Sequence, residues 1–239
     1  MTAWAPKRFW AEASVDETEA GFAVLLDGRP VRTPAKAAFL LPTRAMAEAA
    51  AAEWDAQERE LRPLTMPVTR AANAAIDRVR PQQAEVACLI AAYGESDLIC
   101  HRADSPAELV ARQAASWDPL LDWARDSLRA PLIPTAGLLP CAQPADSLAR
   151  LAARVAAQDA FALTALHDLV ALSGSLVIGL AALDRAVAPI ERLWDLSRID
   201  ETWQQDQWGI DDEAAEVAAA RRRDFLQARR FLDLARPMP

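Results

Sequence analysis

Histidine, tyrosine and glycine are all scarce in this 239-residue chain, which has two, one and seven of them respectively. With His101 and His167 alone and no HExxH spacing, a histidine-rich metal site is excluded, and each imidazole is expected to be a partly buried structural group. No GxGxxG or GxxxxGK[ST] occurs, so neither a dinucleotide fold nor a P-loop is supported. The nearest approach to a nucleophile elbow, "GESDL" at 94–98, lacks the second glycine that such a turn needs. Three cysteines without a CxxC pair, Cys88, Cys100 and Cys141, do not form a disulfide framework and fit a reducing compartment. The longest uncharged apolar run, Leu169 to Leu183, falls short of the roughly 20 residues that span a bilayer and reads as buried core helix. The first residues, "MTAWAPKRFWAEASVDE", have no apolar signal-peptide core and turn acidic early, so the expected location is the cytoplasm.

What remains is apolar and acidic. Hydrophobic residues make up 52% of the chain, charged residues 25%, and the net charge is −8. That balance describes a globular protein without electrostatic attraction to nucleic acid or anionic lipid, and neither is expected as a partner. Abundant alanine beside few glycines favours helix.

Sheet character is confined to the opening segment. In "GFAVLLDGRPVRTP", Phe22, Val24 and Leu26 alternate with Ala23 and Leu25, and Asp27-Gly28 supplies a hairpin turn. "KRFWAEASV" and "AAFLLPT" are candidate neighbouring strands. From Thr43, a capping residue, the period becomes helical. Pro81 opens a helix expected to stop at Gly94, "SDLICHRA" suits a short strand, and Ser105-Pro106 opens a helix with a break or kink at Asp118-Pro119. After a proline-rich connector, helical patterns run over 145–158, 160–172, 175–188 and 189–207. Gly209 stops the last, and a final helix runs from Asp212 to about Ala235. The predicted class is α+β: a small N-terminal α/β unit with an antiparallel sheet, residues 1–80, followed by a larger all-helical unit, residues 81–239.

The densest chemistry lies in "RIDETWQQDQWGIDDEAAE", 198–216, with seven acids and two tryptophans in 19 positions. Asp211, Asp212 and Glu213 are suited to capping the final helix and complementing its dipole. Glu201 and Asp206 read as mid-helix or late-helix acids that gain nothing from the dipole, so beside Trp203 and Trp208 they are candidates for a recognition surface. A hydrolase using two carboxylates, or a helical interaction module with some other client, are the competing readings.

Seven pieces in fixed order carry a resemblance: "KRFW" at 7–10, "LDGRPVRTPAK" at 26–36, "AAEWDAQ" at 51–57, "MPVTRAANAAID" at 66–77, "ESDLICHRA" at 95–103, "WDPLLDWA" at 117–124 and "QWGIDDEA" at 207–214. Together they resemble the F(1)-ATP synthase assembly chaperones of the Atp-twelve type, found in mitochondria and some bacteria. The resemblance implies a non-enzymatic protein without cofactor or metal, monomeric when free, that binds the free α subunit and shields its β-facing surface until assembly. It also implies a functional acid near the C-terminus, carried here onto Glu201 with Asp206 second, so the expected partner-binding residues are Glu201, Asp206, Trp203 and Trp208. Trp54 and Trp117 match motif positions and are expected as core anchors. Arg29 and Arg32 either bind acids or are simply exposed. Organellar relatives belong to the mitochondrial matrix; the absence of a presequence pattern favours a bacterial cytoplasmic protein.

Overall fold

The computed structural model describes residues 7–137, 141–184 and 187–236. Contacts divide the chain into two compact units. The first holds the described residues through Gln83 together with Asp159–Ala165 and the chain from Arg230 onward; the second holds Ala84–Gln158 and Leu166–Arg229.

In the first unit, β1 (Ala13–Thr18) and β2 (Gly21–Leu26) pair antiparallel, from Ala13 opposite Leu26 to Thr18 opposite Gly21. The expected Asp27-Gly28 turn is present. Both residues have positive φ, 48° and 76°, as a tight twisted hairpin requires. It leads into β3 (Arg29–Pro30), and β4 (Leu40–Leu41) shares the same edge of β2. The strand predicted from residue 7 starts later because Arg8 holds that stretch in another shape. Its guanidinium donates to the carbonyls of Trp10, Ala11, Asp55 and Gln57. Arg29 and Arg32 are exposed, and Arg32 donates to the Lys36 carbonyl.

Thr43 caps α1 (Arg44–Asp55), accepting from the Met46 amide at 3.1 Å. Met46, Ala47, Ala50 and Ala51 form its buried stripe, and the helix packs on β1 and β2. The Glu53 carboxylate then accepts from the Val68 and Thr69 amides, both at 2.8 Å, and so caps α2 (Pro67–Ala74). Trp54 is half-buried, edge-on to the buried Trp10 with ring centroids 5.2 Å apart. The two segments remote in sequence join this unit through aromatic packing: Phe161 stacks on Phe231 at 6.1 Å, and Arg80 lies over the Phe161 ring.

The second unit is helical apart from one short parallel pair. After α3 (Gln83–Ala91), a 3-10 turn covers Ala92–Ser96, so Gly94 does not stop the helix as predicted. Gly94 is buried, and a β-carbon there would lie 3.2 Å from the side chains of Leu148 and Leu176. The glycine is there for close approach. β5 (His101–Arg102) runs parallel to β6 (Thr135–Ala136), and between them α4 (Ala107–Ser127) continues through Pro119 without interruption. Pro119 faces solvent, so the bond its missing N–H forfeits is lost where water can replace it, while Trp117, Leu120 and Leu121 pack inside.

α5 (Ala145–Ala156), α6 (Ala160–Ser173) and α7 (Leu176–Leu183) follow. The apolar run 169–183 is mostly buried and, in line with the patterns over 160–172 and 175–188, is divided between two helices. Gly174, at φ 74°, turns the chain between them. No helix among the described residues is long and apolar enough to cross a membrane. The pattern predicted over 189–207 also divides, into α8 (Ile190–Leu196) and α9 (Ile199–Trp208), before α10 (Asp212–Ala235) closes the chain. The three cysteines are free thiols; burial pushes Cys100 up to about 12.

Asp97 is fully buried. Its carboxylate accepts from the Ile99 amide at 3.2 Å and from the Val177 amide at 2.9 Å, so one side chain caps both the 98–100 turn and α7. Burial outweighs these donors and raises its pKa from 3.8 to about 6. Between those values the folded chain holds a proton that the unfolded chain has lost. Its contribution therefore favours folding as pH falls through 6 toward 3.8, and is lost as pH rises again. Asparagine cannot titrate, so the stability of the native protein relative to Asp97→Asn should improve by about 2–3 kcal/mol between about pH 7 and about pH 4. Denaturant unfolding across that range measures it. In the first unit, Trp54→Arg puts a charge beside Trp10 and should cost about 2–4 kcal/mol, read as a lower melting midpoint.

Candidate binding groove

The segment 198–216 owes its shape to the break before α9. The Ser197 amide donates to the Leu193 and Trp194 carbonyls, and its hydroxyl donates to Trp194, which ends α8. Arg198 then leaves helical geometry at φ −118°, and α9 starts afresh. This corrects the sequence reading: Glu201 is a first-turn residue, where a carboxylate does interact favourably with the helix dipole. Gly209 ends α9 as predicted, with its amide donating to the Gln205 carbonyl at 2.9 Å. Asp211 caps α10, accepting from the Ala214 amide at 3.0 Å, with Asp212 and Glu213 in the first turn.

The end of α8 and the first turn of α9 are held against α4 by buried polar contacts. The Trp117 indole, fully buried, donates to the Leu196 carbonyl at 2.7 Å. The Gln113 carboxamide, 2% exposed, accepts from the Ala103 amide at 2.8 Å and donates to Asp200 Oδ1 at 2.7 Å. Arg112 pairs with Asp206 at 2.7 Å, in a more exposed position.

These ties leave an open groove of about 590 Å³. One wall is His101, Arg102, Ala103, Ser105 and Pro106 with Leu109 and Gln113 of α4; the other is Asp200, Trp203, Gln204, Gln207 and Trp208, the i, i+3, i+4, i+7, i+8 face of α9. Trp203 is half-buried in it and Trp208 is 80% exposed. Ile210, 72% exposed, extends the apolar surface past the end of α9. The four predicted residues thus fall into two sets. Trp203 and Trp208 line the groove, whereas Glu201 and Asp206 lie outside its lining and form ion pairs, Glu201 with Arg198 at 2.9 Å and Asp206 with Arg112. Burial holds the Arg198 guanidinium below its ordinary value.

Sequence reasoning passed over Asp200, Gln113 and His101. The spacing from Asp200 to Trp208 would have revealed the α9 face had the helix start been known. His101 and His167 are both exposed, contrary to expectation; His167 contacts its neighbour Asp168 at 2.9 Å, which raises its pKa. Asp200 is the one carboxylate among the lining residues, so a two-carboxylate hydrolysis has no second member there. No cluster of three or more metal-ligating His, Cys, Asp or Glu side chains occurs among the described residues.

Comparison with known proteins defines the class: this is a chaperone, not an enzyme. Residues 7–125 match the model of the ATP12 chaperone protein family. The crystal structure of Atp12 from Paracoccus denitrificans is 48% identical, over 96% of this chain and 98% of that one, with a TM-score of 0.93. A lysine-for-aspartate mutant of that protein matches equally well. A chaperone candidate from Agrobacterium tumefaciens is 40% identical over 97% of this chain and 87% of its own, with a TM-score of 0.91. The chain belongs to the ATP12 chaperone family.

Replacing Gln113 by leucine keeps the volume but leaves the Ala103 amide and Asp200 without their partner. The expected loss is about 1–3 kcal/mol. Amide exchange at Ala103, followed with the melting midpoint, should show the two walls loosening together.

Proposed function

We propose that this assembly chaperone serves the F(1) sector of ATP synthase, binding the free α subunit and shielding the surface that later meets the β subunit. Membership of the ATP12 family supports the reading, and the observation that carries it to a site is the tryptophan-walled groove beside exposed acids. A subunit awaiting its partner exposes apolar surface that aggregates; a rigid aromatic groove can cover part of it. Release demands modest affinity, which suits a rim of part-exposed ion pairs.

In this reading Trp203 and Trp208 contact the client's apolar side chains, and Glu201 and Asp206 orient it from the rim. The protein acts as a monomer in the bacterial cytoplasm, without cofactor, nucleic acid or membrane.

The test is capture of isolated α subunit at physiological salt, with suppression of its aggregation by light scattering. Glu201→Lys should weaken capture about tenfold, a rim-charge effect, while the fold is kept and the melting midpoint falls by only a few degrees through loss of the Arg198 pair and the first-turn dipole interaction. Failure of the native protein to bind or protect the α subunit would refute the client; unfolding of the variant would make Glu201 a structural residue.

A further inference from the structure

Asp200 differs from every other acid of the 198–216 segment in lying inside the groove. Gln113, itself buried and anchored on the Ala103 amide, fixes one of its carboxylate oxygens at 2.7 Å. The other oxygen has no hydrogen bond or ion pair among the described residues. The arginines of the surrounding elements each hold another carboxylate: Arg102 pairs with Asp118 at 2.9 Å, Arg112 with Asp206 at 2.7 Å and Arg198 with Glu201 at 2.9 Å. Arg198 is near enough to feel the Asp200 charge but makes its direct ion pair with Glu201, so the groove presents a preorganised carboxylate without a direct ion-pair partner among the described residues. Trp203 and Trp208 stand one and two turns further along the same face.

A carboxylate acceptor beside indole rings is complementary to a cationic side chain with an aliphatic stem. The cation gains from the carboxylate and from the ring quadrupoles, while the stem covers apolar surface. We propose that the groove receives a lysine or arginine of the bound protein, in a segment with flanking apolar side chains, and that Asp200 is its counter-ion. This rests on the reading of the protein as a chaperone with a protein client. It shifts the acid that selects the client from the rim positions Glu201 and Asp206 to Asp200.

The test uses the full-length protein and two probes, the capped peptide Leu-Arg-Leu and its counterpart with citrulline, which keeps the shape of arginine without its charge. Indole NMR signals, assigned with Trp203→Phe and Trp208→Phe, report binding at the groove. The arginine peptide should shift those two signals and bind at least about tenfold more tightly than the citrulline peptide. Asp200→Asn, which can still accept from Gln113, should bring the arginine peptide down to the citrulline level and leave the citrulline peptide unaffected. Equal binding of the two peptides, no binding of either, or an unchanged arginine preference in Asp200→Asn would overturn the proposal. The peptide comparison in the native protein needs no variant, so it stands even where Asp200→Asn melts early. If the native protein ignores the α subunit but keeps the arginine preference, the client assignment fails and the groove's chemistry holds.

Discussion

The Gln113 carboxamide is the constraint on which the groove depends. It is buried, so both its acceptor and its donor must be satisfied within the protein, and the two partners lie on opposite walls. Ala103 belongs to the segment leading into α4, and Asp200 to the first turn of α9. Satisfying one amide thus sets the separation of the walls and the direction of a carboxylate. Trp117, one turn further along α4, repeats the arrangement with its indole on the Leu196 carbonyl. With the end of α8 tied to Trp117 and the first turn of α9 tied to Gln113, neither helix can slide along α4 without stranding a buried polar group, so the groove is built on rigid elements.

The same device recurs elsewhere in each unit. Asp97 caps a turn and α7 together, Glu53 of α1 caps α2, and Arg8 gathers the carbonyls beyond the end of α1. In each case one charged side chain satisfies backbone groups of elements distant in sequence, while apolar stripes supply the packing. This division of labour leaves α9 free to display tryptophans: its own buried contribution is small, with Ile199 its fully buried residue, because the polar ties hold it in place.

Several elements were legible in the sequence because their causes are local. Asp27-Gly28 between alternating apolar residues specified a hairpin, Thr43 a helix start, Gly209 a stop and Asp211 the next cap. Other signals were read correctly in kind and wrongly in consequence. Gly94 looked like a helix stop, but its missing side chain serves Leu148 and Leu176. Pro119 looked like a break, yet on the solvent face of α4 its lost bond is replaced by water. Segments 159–165 and 230–236 belong with the first unit through Phe161 and Phe231, a contact no local pattern announces.

For the groove, the sequence by itself determined the helical character of 198–216, the presence of its acids and tryptophans and, through seven ordered motifs, the family. Side-chain chemistry and periodicity are properties of neighbouring residues, and these suffice for that much. Which acid faces the groove was decided by tertiary structure alone. The break at Arg198 sets the rotational phase of α9, and one residue of phase, about 100°, separates Asp200 inside the groove from Glu201 outside it. That phase follows from Trp117 and Gln113 reaching across from α4, more than eighty residues earlier in sequence for Gln113 and Asp200, and no window along the chain contains both partners.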